Sequence, residues 1–137
     1  MKNMRKKIFT LIIITFIISL FIPFSNISAS SGPEVYTRHS DYKPDHRVMI
    51  FGTDFMPNEV YTIEVVRPDG SIVKGDGTFE PGTDIIDSDK EGIFKYKYQL
   101  AEVSDAFNPE GTYIVSVFDF SGNFVAGTIF TDSTVRW

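Results

Sequence analysis

Residues 93–100 read IFKYKYQL, and this stretch alternates between two kinds of side chain. One face of an extended chain would carry the apolar side chains of Phe94, Tyr96, Tyr98 and Leu100, and the other would carry two lysines and a glutamine. Successive side chains of a β-strand point to opposite sides of the sheet. The pattern therefore predicts a strand with one side in a core and the other in water.

Similar short runs recur along the chain, with turn residues between them. Arg67-Pro68-Asp69-Gly70 predicts a turn, because proline presets φ and glycine accepts a left-handed backbone. Strands spaced in this way, with no helical run between them, indicate a sandwich or a barrel. We predict an all-β fold of about seven antiparallel strands. They lie at residues 35–38, 46–52, 60–67, 71–74, 93–100, 112–119 and 124–131.

The first 30 residues differ in composition from the rest of the chain. Four basic residues come before residue 8, residues 8–22 carry no charge, and a proline and small polar residues follow. This order predicts a secretory signal peptide at residues 1–30. An uncleaved membrane anchor is the alternative, although a membrane span needs about 20 apolar residues. We expect an exported protein that acts outside the cell or at the cell surface.

The segment after residue 30 is acidic and lacks cysteine. It contains all 18 acidic residues and the remaining nine of the 13 basic ones, so its net charge is −9. This charge argues against nucleic acid as a partner, since nucleic acid selects basic faces. It also limits membrane contact to an uncleaved N-terminal segment. The absence of cysteine excludes disulfides, thiol catalysis and Cys-ligated zinc, so the core must hold the fold without a covalent link.

Several turn motifs follow one another in a recognisable order. These are Gly52, Phe55-x-Pro57-x-Glu59, Arg67-Pro68-Asp69-Gly70, the strand from Gly92 to Leu100, and Gly111-Thr112-Tyr113. The order resembles immunoglobulin-like β-sandwich modules of secreted and cell-surface proteins of bacteria and archaea. The resemblance covers residues 35–132, with residues 31–34 as a flexible lead and 133–137 as a C-terminal tail. It implies an adhesion or spacer unit and offers no catalytic residues.

No motif of a known catalytic site occurs in the chain, so we expect no enzyme. There is no G-x-S-x-G, no H-E-x-x-H and no phosphate-binding glycine loop. The preferred hypothesis is a non-catalytic module that acts in adhesion, binding or envelope structure. Its expected partner is a cell-envelope protein or a polysaccharide. A carbohydrate-binding module and a calcium-dependent adhesin subunit are the alternatives.

Two groups of polar residues have the composition of metal sites. Asp84, Asp87, Asp89 and Glu91 precede Gly92 and resemble the first half of a calcium loop, but the twelfth position is Tyr98 and not glutamate. The alternative for these four residues is a solvated turn. A second group could bind zinc or form a plain turn, and it consists of His39, Asp41, Asp45 and His46.

Aromatic residues offer a possible ligand platform. Phe118 is out of phase with the apolar side of its strand, and Phe124 follows the next turn. Exposed rings of this kind stack on sugars or dock a partner, and Tyr96 and Tyr98 are further candidates. The alternative is that these rings pack in the second sheet or under a loop.

Overall fold

The computed structural model describes residues 32–100 and 110–133. Within these ranges the chain forms eight β-strands and no helix. The strands are β1 (Glu34–Thr37), β2 (Asp41–Tyr42), β3 (Arg47–Thr53), β4 (Val60–Val66), β5 (Asp84–Asp87), β6 (Phe94–Gln99), β7 (Gly111–Phe118) and β8 (Phe124–Asp132). The predicted signal peptide and most of the predicted tail lie outside the described residues. A search of the described ranges finds no helix with the length and apolarity to cross a bilayer.

The strands form two sheets. The smaller has the order β1-β3-β6, and the larger has the order β2-β8-β7-β4-β5. All neighbours pair antiparallel except β2, which runs parallel to β8. The long pairings between β7 and β8 and between β4 and β7 form the centre of the larger sheet.

The inner faces of both sheets supply one hydrophobic core. The rings of Tyr113 and Phe130, on neighbouring strands of the larger sheet, stack with centroids 4.9 Å apart. Tyr98 from the smaller sheet meets Phe130 at 6.4 Å, so aromatic rings bridge the two layers. Burying an aromatic or branched side chain of this size contributes about 1.5–3 kcal/mol. The core therefore stabilises the sandwich without a disulfide.

Six of the seven predicted strands are confirmed, each with ends within one residue of the prediction. The run at residues 71–74 is the exception, because it forms only isolated bridges from Ile72 to Val66 and from Val73 to Pro81. In its place the larger sheet gains β5 as an edge strand on β4. The sequence reading missed β5 because its two aspartates are typical of turns, while Ile86 between them is buried in the core.

Candidate binding surfaces

The outer face of the larger sheet exposes apolar side chains. We call this surface the apolar face, and it consists of Val60, Ile85, Ile114, Phe118, Phe124 and Ile129. The strand register places Ile114 opposite Ile129 and Phe118 opposite Phe124, with the row of Ser116 and Gly127 between the two pairs. Ile85 is 74% exposed and Ile129 is 61% exposed. The solvent side of an antiparallel sheet is normally polar, so this face departs from the usual pattern.

Two phenylalanines form the aromatic part of the apolar face. The rings of Phe118 and Phe124 lie edge to face, with centroids 6.1 Å apart. A Cβ at Gly127 would lie 2.5 Å from the Val115 carbonyl oxygen and 3.3 Å from the Phe124 ring, so glycine here allows the close approach of β7 and also leaves room for the ring. Phe124 is 63% exposed and Phe118 is half-buried. The structure thus brings Phe118 and Phe124 together on the outer face of the larger sheet, and their role as a ligand platform stays a prediction.

The rest of this outer surface is small or negatively charged. Small side chains at Thr62, Ser116 and Gly127 lie between the large apolar ones. Glu64 and Asp87 are the charged residues at the outward positions of β4, β5, β7 and β8, and no basic residue occupies such a position. Glu64 lies within the face, in the row of Ser116 and Gly127, and Asp87 lies beside Val60 on the edge strand, so the face includes two negative charges.

The other two predicted platform residues face inward, which corrects that part of the hypothesis. Tyr98 is 1% exposed and lies in the core, where burial raises the pKa of its hydroxyl to about 12. Tyr96 is half-buried, and its hydroxyl donates a short hydrogen bond to Asp84. Burial, followed by this contact, raises the Tyr96 pKa strongly. Both belong to the inward side of β6, as the alternation that first identified the strand requires.

The four acidic residues of the candidate calcium loop have separate positions. Asp84 and Asp87 are the two ends of β5, and Asp84 accepts hydrogen bonds from the Gly75 amide and Tyr96. Asp89 closes the following turn, because its Oδ1 accepts the Glu91 amide at 2.8 Å and the Ile93 amide at 2.9 Å. Within residues 32–100 and 110–133, no three carboxylates or histidines form a group suited to a metal. Calcium binding here stays a prediction without a cluster to support it.

The second predicted metal group is also dispersed. Asp41 accepts hydrogen bonds from the hydroxyls of Thr131 at 2.6 Å and Ser133 at 2.8 Å, and these bonds lower its pKa. His46 approaches Asp45 at 3.9 Å on the surface. The side chain of Asp41 thus links β2 to the end of β8.

The outer face of the smaller sheet is positively charged and partly aromatic. We call it the cationic face, and it consists of Tyr36, Arg38, Arg47, Phe51, Lys95 and Lys97. The rings of Tyr36 and Phe51 stack with centroids 5.4 Å apart, and the Lys95 Nζ lies 5.8 Å from the Phe51 centroid. Sequence reasoning missed this face, although the lysines alternating with the apolar residues of β6 were a signal.

A buried polar cluster lies between the two layers. Arg67 is 5% exposed, and its guanidinium donates a hydrogen bond to the hydroxyl of the buried Tyr113. Burial, reinforced by the negative charge of Asp132, raises the pKa of Tyr113, while Arg67 opposes this shift. Arg67 also lies 5.7 Å from the ring of Phe79. These contacts are internal, so we assign the cluster to stability and not to binding.

No protein-family model matches the chain, and no curated protein sequence matches it. Similar solved structures include macromomycin, with a TM-score of 0.48 and 19% identity over 74% of this chain and 100% of that one.

Another is a tetra-tandem repeat in the extending region of a large adhesion protein, with a TM-score of 0.47 and 18% identity over 75% of this chain and 24% of that one. A third is the Pseudomonas fluorescens alkylpurine DNA glycosylase AlkC bound to DNA containing an abasic site analog, with a TM-score of 0.44 and 8% identity over 73% of this chain and 30% of that one. Since all three TM-scores are below 0.5, no property of these proteins is carried over to this chain.

Proposed function

We propose that the chain is an exported, non-catalytic binding module of immunoglobulin-like fold that acts in adhesion or envelope structure. The apolar face carries this proposal. Large apolar patches on the surface of a soluble domain mark interaction sites more often than chance exposure does. Here the apolar side chains lie on the outer face of a hydrogen-bonded sheet.

The strand order supports the immunoglobulin-like assignment. The chain enters the smaller sheet as β1 and crosses to the larger sheet as β2, where it runs parallel to β8. β3 and β6 are neighbours in one sheet although β4 and β5 between them belong to the other. Returning connections of this kind are typical of Greek-key sandwiches.

A protein of the cell envelope is the partner that fits the apolar face best. The partner surface would be apolar where it covers Ile85, Ile114 and Ile129, and basic opposite Glu64 and Asp87. A second copy of this chain fits less well, because stacking two apolar faces would bring like carboxylates together at a cost.

A polysaccharide is the second candidate for this face. The observation in its favour is the ring pair of Phe118 and Phe124, whose exposed part offers a stacking surface for a sugar. This ring pair covers only one end of the apolar face, whereas Ile114 and Ile129 lie further along β7 and β8.

The proposal is tested by the binding of the labelled protein to isolated cell envelopes of the producing organism. Ile114→Ser combined with Ile129→Ser should weaken binding at least about tenfold, since each removes a large apolar contact. Met56→Ser is the matched control, because Met56 is 67% exposed but lies on the loop before β4 and not on the strands that carry Ile114 and Ile129.

Treatment of the envelopes separates the two candidate partners. Loss of binding after protease treatment supports a protein partner, and loss after polysaccharide digestion alone, together with sensitivity to Phe124→Ser, supports the sugar. Envelope binding that the double serine variant leaves unchanged would remove the apolar face from the proposal.

A further inference from the structure

The cationic face lies on the opposite side of the sandwich from the apolar face, and the proposed function does not use it. Its residues form three rows across the smaller sheet. Tyr36, Phe51 and Lys95 are cross-strand neighbours in the first row. The second row contains Arg38, Met49 and Lys97, because the Arg38 amide bonds the Met49 carbonyl and Met49 pairs with Lys97. Arg47 and Gln99 form the third.

Each of these three rows presents at least one cation, and the next outward row of the same sheet pairs Glu34 with Thr53. The ion pairs between described residues are His46–Asp45 and Lys74–Glu80, and neither involves a member of the cationic face. The chain as a whole is acidic, with a net charge of −5, so this concentration of basic residues on one sheet is a local inversion of its charge. A surface of this kind attracts an anionic partner.

A shallow cavity lies at the third row and is lined by Arg47, Gly75, Asp76, Lys97 and Gln99. The Arg47 Nε–H donates to the Gln99 Oε1 at 2.9 Å, which holds the guanidinium in one plane. The Gln99 amide in turn donates to the Leu100 carbonyl at 2.8 Å. A guanidinium held in this way is suited to a carboxylate, which it binds through two parallel hydrogen bonds.

One acidic residue, Asp76, also lines the cavity. Its Oδ1 accepts hydrogen bonds from the Thr78 amide at 3.0 Å and the Thr78 hydroxyl at 2.6 Å. These bonds lower the pKa of Asp76 and keep it ionised, so it supplies one negative charge against the two positive charges of Arg47 and Lys97. The lining therefore keeps a net positive charge.

The first row adds an aromatic surface at a distance from the cavity. Tyr36 is 46% exposed and stacks on Phe51. Neighbouring rows are two residues apart along each strand, so the ring pair and Arg47 are separated by about 13 Å. A single sugar cannot contact both the ring pair and Arg47, whereas an extended polysaccharide can.

We propose that the cationic face binds an anionic polysaccharide whose sugars carry carboxylates, a polyuronate. The sugar rings stack on the Tyr36–Phe51 pair, and the carboxylates bind Lys95, Lys97 and Arg47 along the chain. This partner uses both properties of the face, since aromatic rings contact the apolar side of a pyranose and the cations meet its acid groups. Nucleic acid is disfavoured, because domains that bind it are basic overall and this chain has a pI of about 4.9.

Isothermal titration calorimetry with the purified full chain tests the proposal, using polygalacturonate and its fully methyl-esterified form as probes. The two polymers share their sugar rings and differ in charge. We expect binding of polygalacturonate that weakens with rising salt, and at least about tenfold weaker binding of the ester. Equal binding of the two forms, or no binding of polygalacturonate at low salt, would overturn the proposal.

Three variants connect the binding to the face. Arg47→Gln combined with Lys97→Gln, and separately Tyr36→Ser, should each weaken polygalacturonate binding about tenfold or more. Lys90→Gln removes an exposed cation outside the face and should leave the affinity unchanged. None of the substituted side chains lies in the core, so each variant should still fold. Thermal unfolding measurements check this.

A single-stranded DNA of similar length measures binding through charge alone. DNA bound as tightly as polygalacturonate, with the same loss in the arginine–lysine variant and none in Tyr36→Ser, would replace the polysaccharide with a general polyanion site. Sensitivity to Tyr36→Ser for polygalacturonate, with weaker DNA binding, supports the polyuronate.

Discussion

Two glycines have positive φ, but they differ in the space available for a side chain. Gly70 has φ +85° and no heavy atom within 4 Å of a Cβ placed on it. Gly92 has φ +75°, and the same Cβ would fall deep inside the van der Waals radius of the Phe55 carbonyl oxygen. Both positions disfavour an L side chain, but only Gly92 also lacks space.

Alanine at these two positions should therefore differ in effect. Gly70→Ala should lower the free energy of unfolding by about 1 kcal/mol, which is the cost of the left-handed conformation. Gly92→Ala should cost about 3 kcal/mol, because a backbone atom must also move. Urea denaturation measures both, and equal losses would mean that the approach of the β3–β4 connection to Gly92 is looser than described.

Arg67 is the buried residue whose removal should have the clearest effect. Its guanidinium donates to the Tyr113 hydroxyl in the core. Arg67→Leu leaves that hydroxyl without this donor, and we expect the free energy of unfolding to fall by about 2 kcal/mol. Arg38→Leu is the control, since Arg38 is an exposed arginine. If Arg67→Leu lowers the free energy of unfolding no more than Arg38→Leu does, Arg67 contributes no more to stability than an exposed arginine.

At the scale of the elements, β2 is the strand with the least backbone pairing. It has two residues, and Asp41 reinforces its contact with β8 by accepting hydrogen bonds from Thr131 and Ser133. The Thr131 amide also donates to the Ser40 carbonyl at 2.9 Å. The side chain thus supports a short parallel pair that backbone bonds alone hold weakly.

Asp41→Ala should release this pair without unfolding the rest of the sheet. We expect hydrogen exchange to accelerate at the amides of Thr131 and Ser133, and to stay slow at Val115 in the centre of β7. Asp45→Ala, which removes an exposed carboxylate nearby, should change neither. Uniform acceleration over both sheets would mean that β2 is part of one cooperative unit with β7.

The same carboxylate should make the β2–β8 contact sensitive to acid. Hydrogen bonds from Thr131 and Ser133 lower the Asp41 pKa in the folded protein, so its stabilising effect is present above the ordinary carboxyl pKa of about 3.9. That effect is lost as the pH falls through the folded pKa. Exchange at Thr131, corrected for intrinsic pH dependence, should therefore increase at the acid end and not between pH 5 and 8.

At the scale of the whole molecule, buried tyrosines determine how the fold responds to alkali. Burial raises the pKa of Tyr98 to about 12 and also raises the pKa values of Tyr96 and Tyr113. Below pH 10 these hydroxyls are protonated in the folded and unfolded chains alike. Above it, the unfolded chain loses protons that the folded chain retains, so stability falls as the pH rises.

We therefore expect cooperative unfolding between about pH 10 and 12, with tyrosinate absorbance rising together with the loss of sheet signal in circular dichroism. Each buried tyrosine contributes up to about 1.4 kcal/mol per pH unit. Tyr98→Phe removes one ionising group and should make this dependence less steep. Complete ionisation of all tyrosines while the sheet signal persists would contradict the prediction.

The alternation of side chains was sufficient to identify most strands, because a half-buried strand must place one residue in two in the core. The IFKYKYQL stretch became β6, with Tyr98 inside and Lys97 outside. β5 was not identifiable in this way, because four residues hold too little pattern and aspartates at both ends are typical of a turn. Its pairing with β4 joins residues with 20 or more others between them, so it depends on tertiary contacts.

The same division holds for the surfaces. The sequence by itself determined that the described part of the chain is all-β, where six of its eight strands lie, and that the tyrosines of β6 share a face, since these depend on local periodicity. Only the tertiary structure decided that Ile114 lies beside Ile129 and Phe118 beside Phe124. It also decided that Tyr36 stacks on Phe51 and that Lys95 lies over the Phe51 ring. Strand order and register set these neighbours, and both arise from contacts between distant parts of the chain that no local pattern encodes.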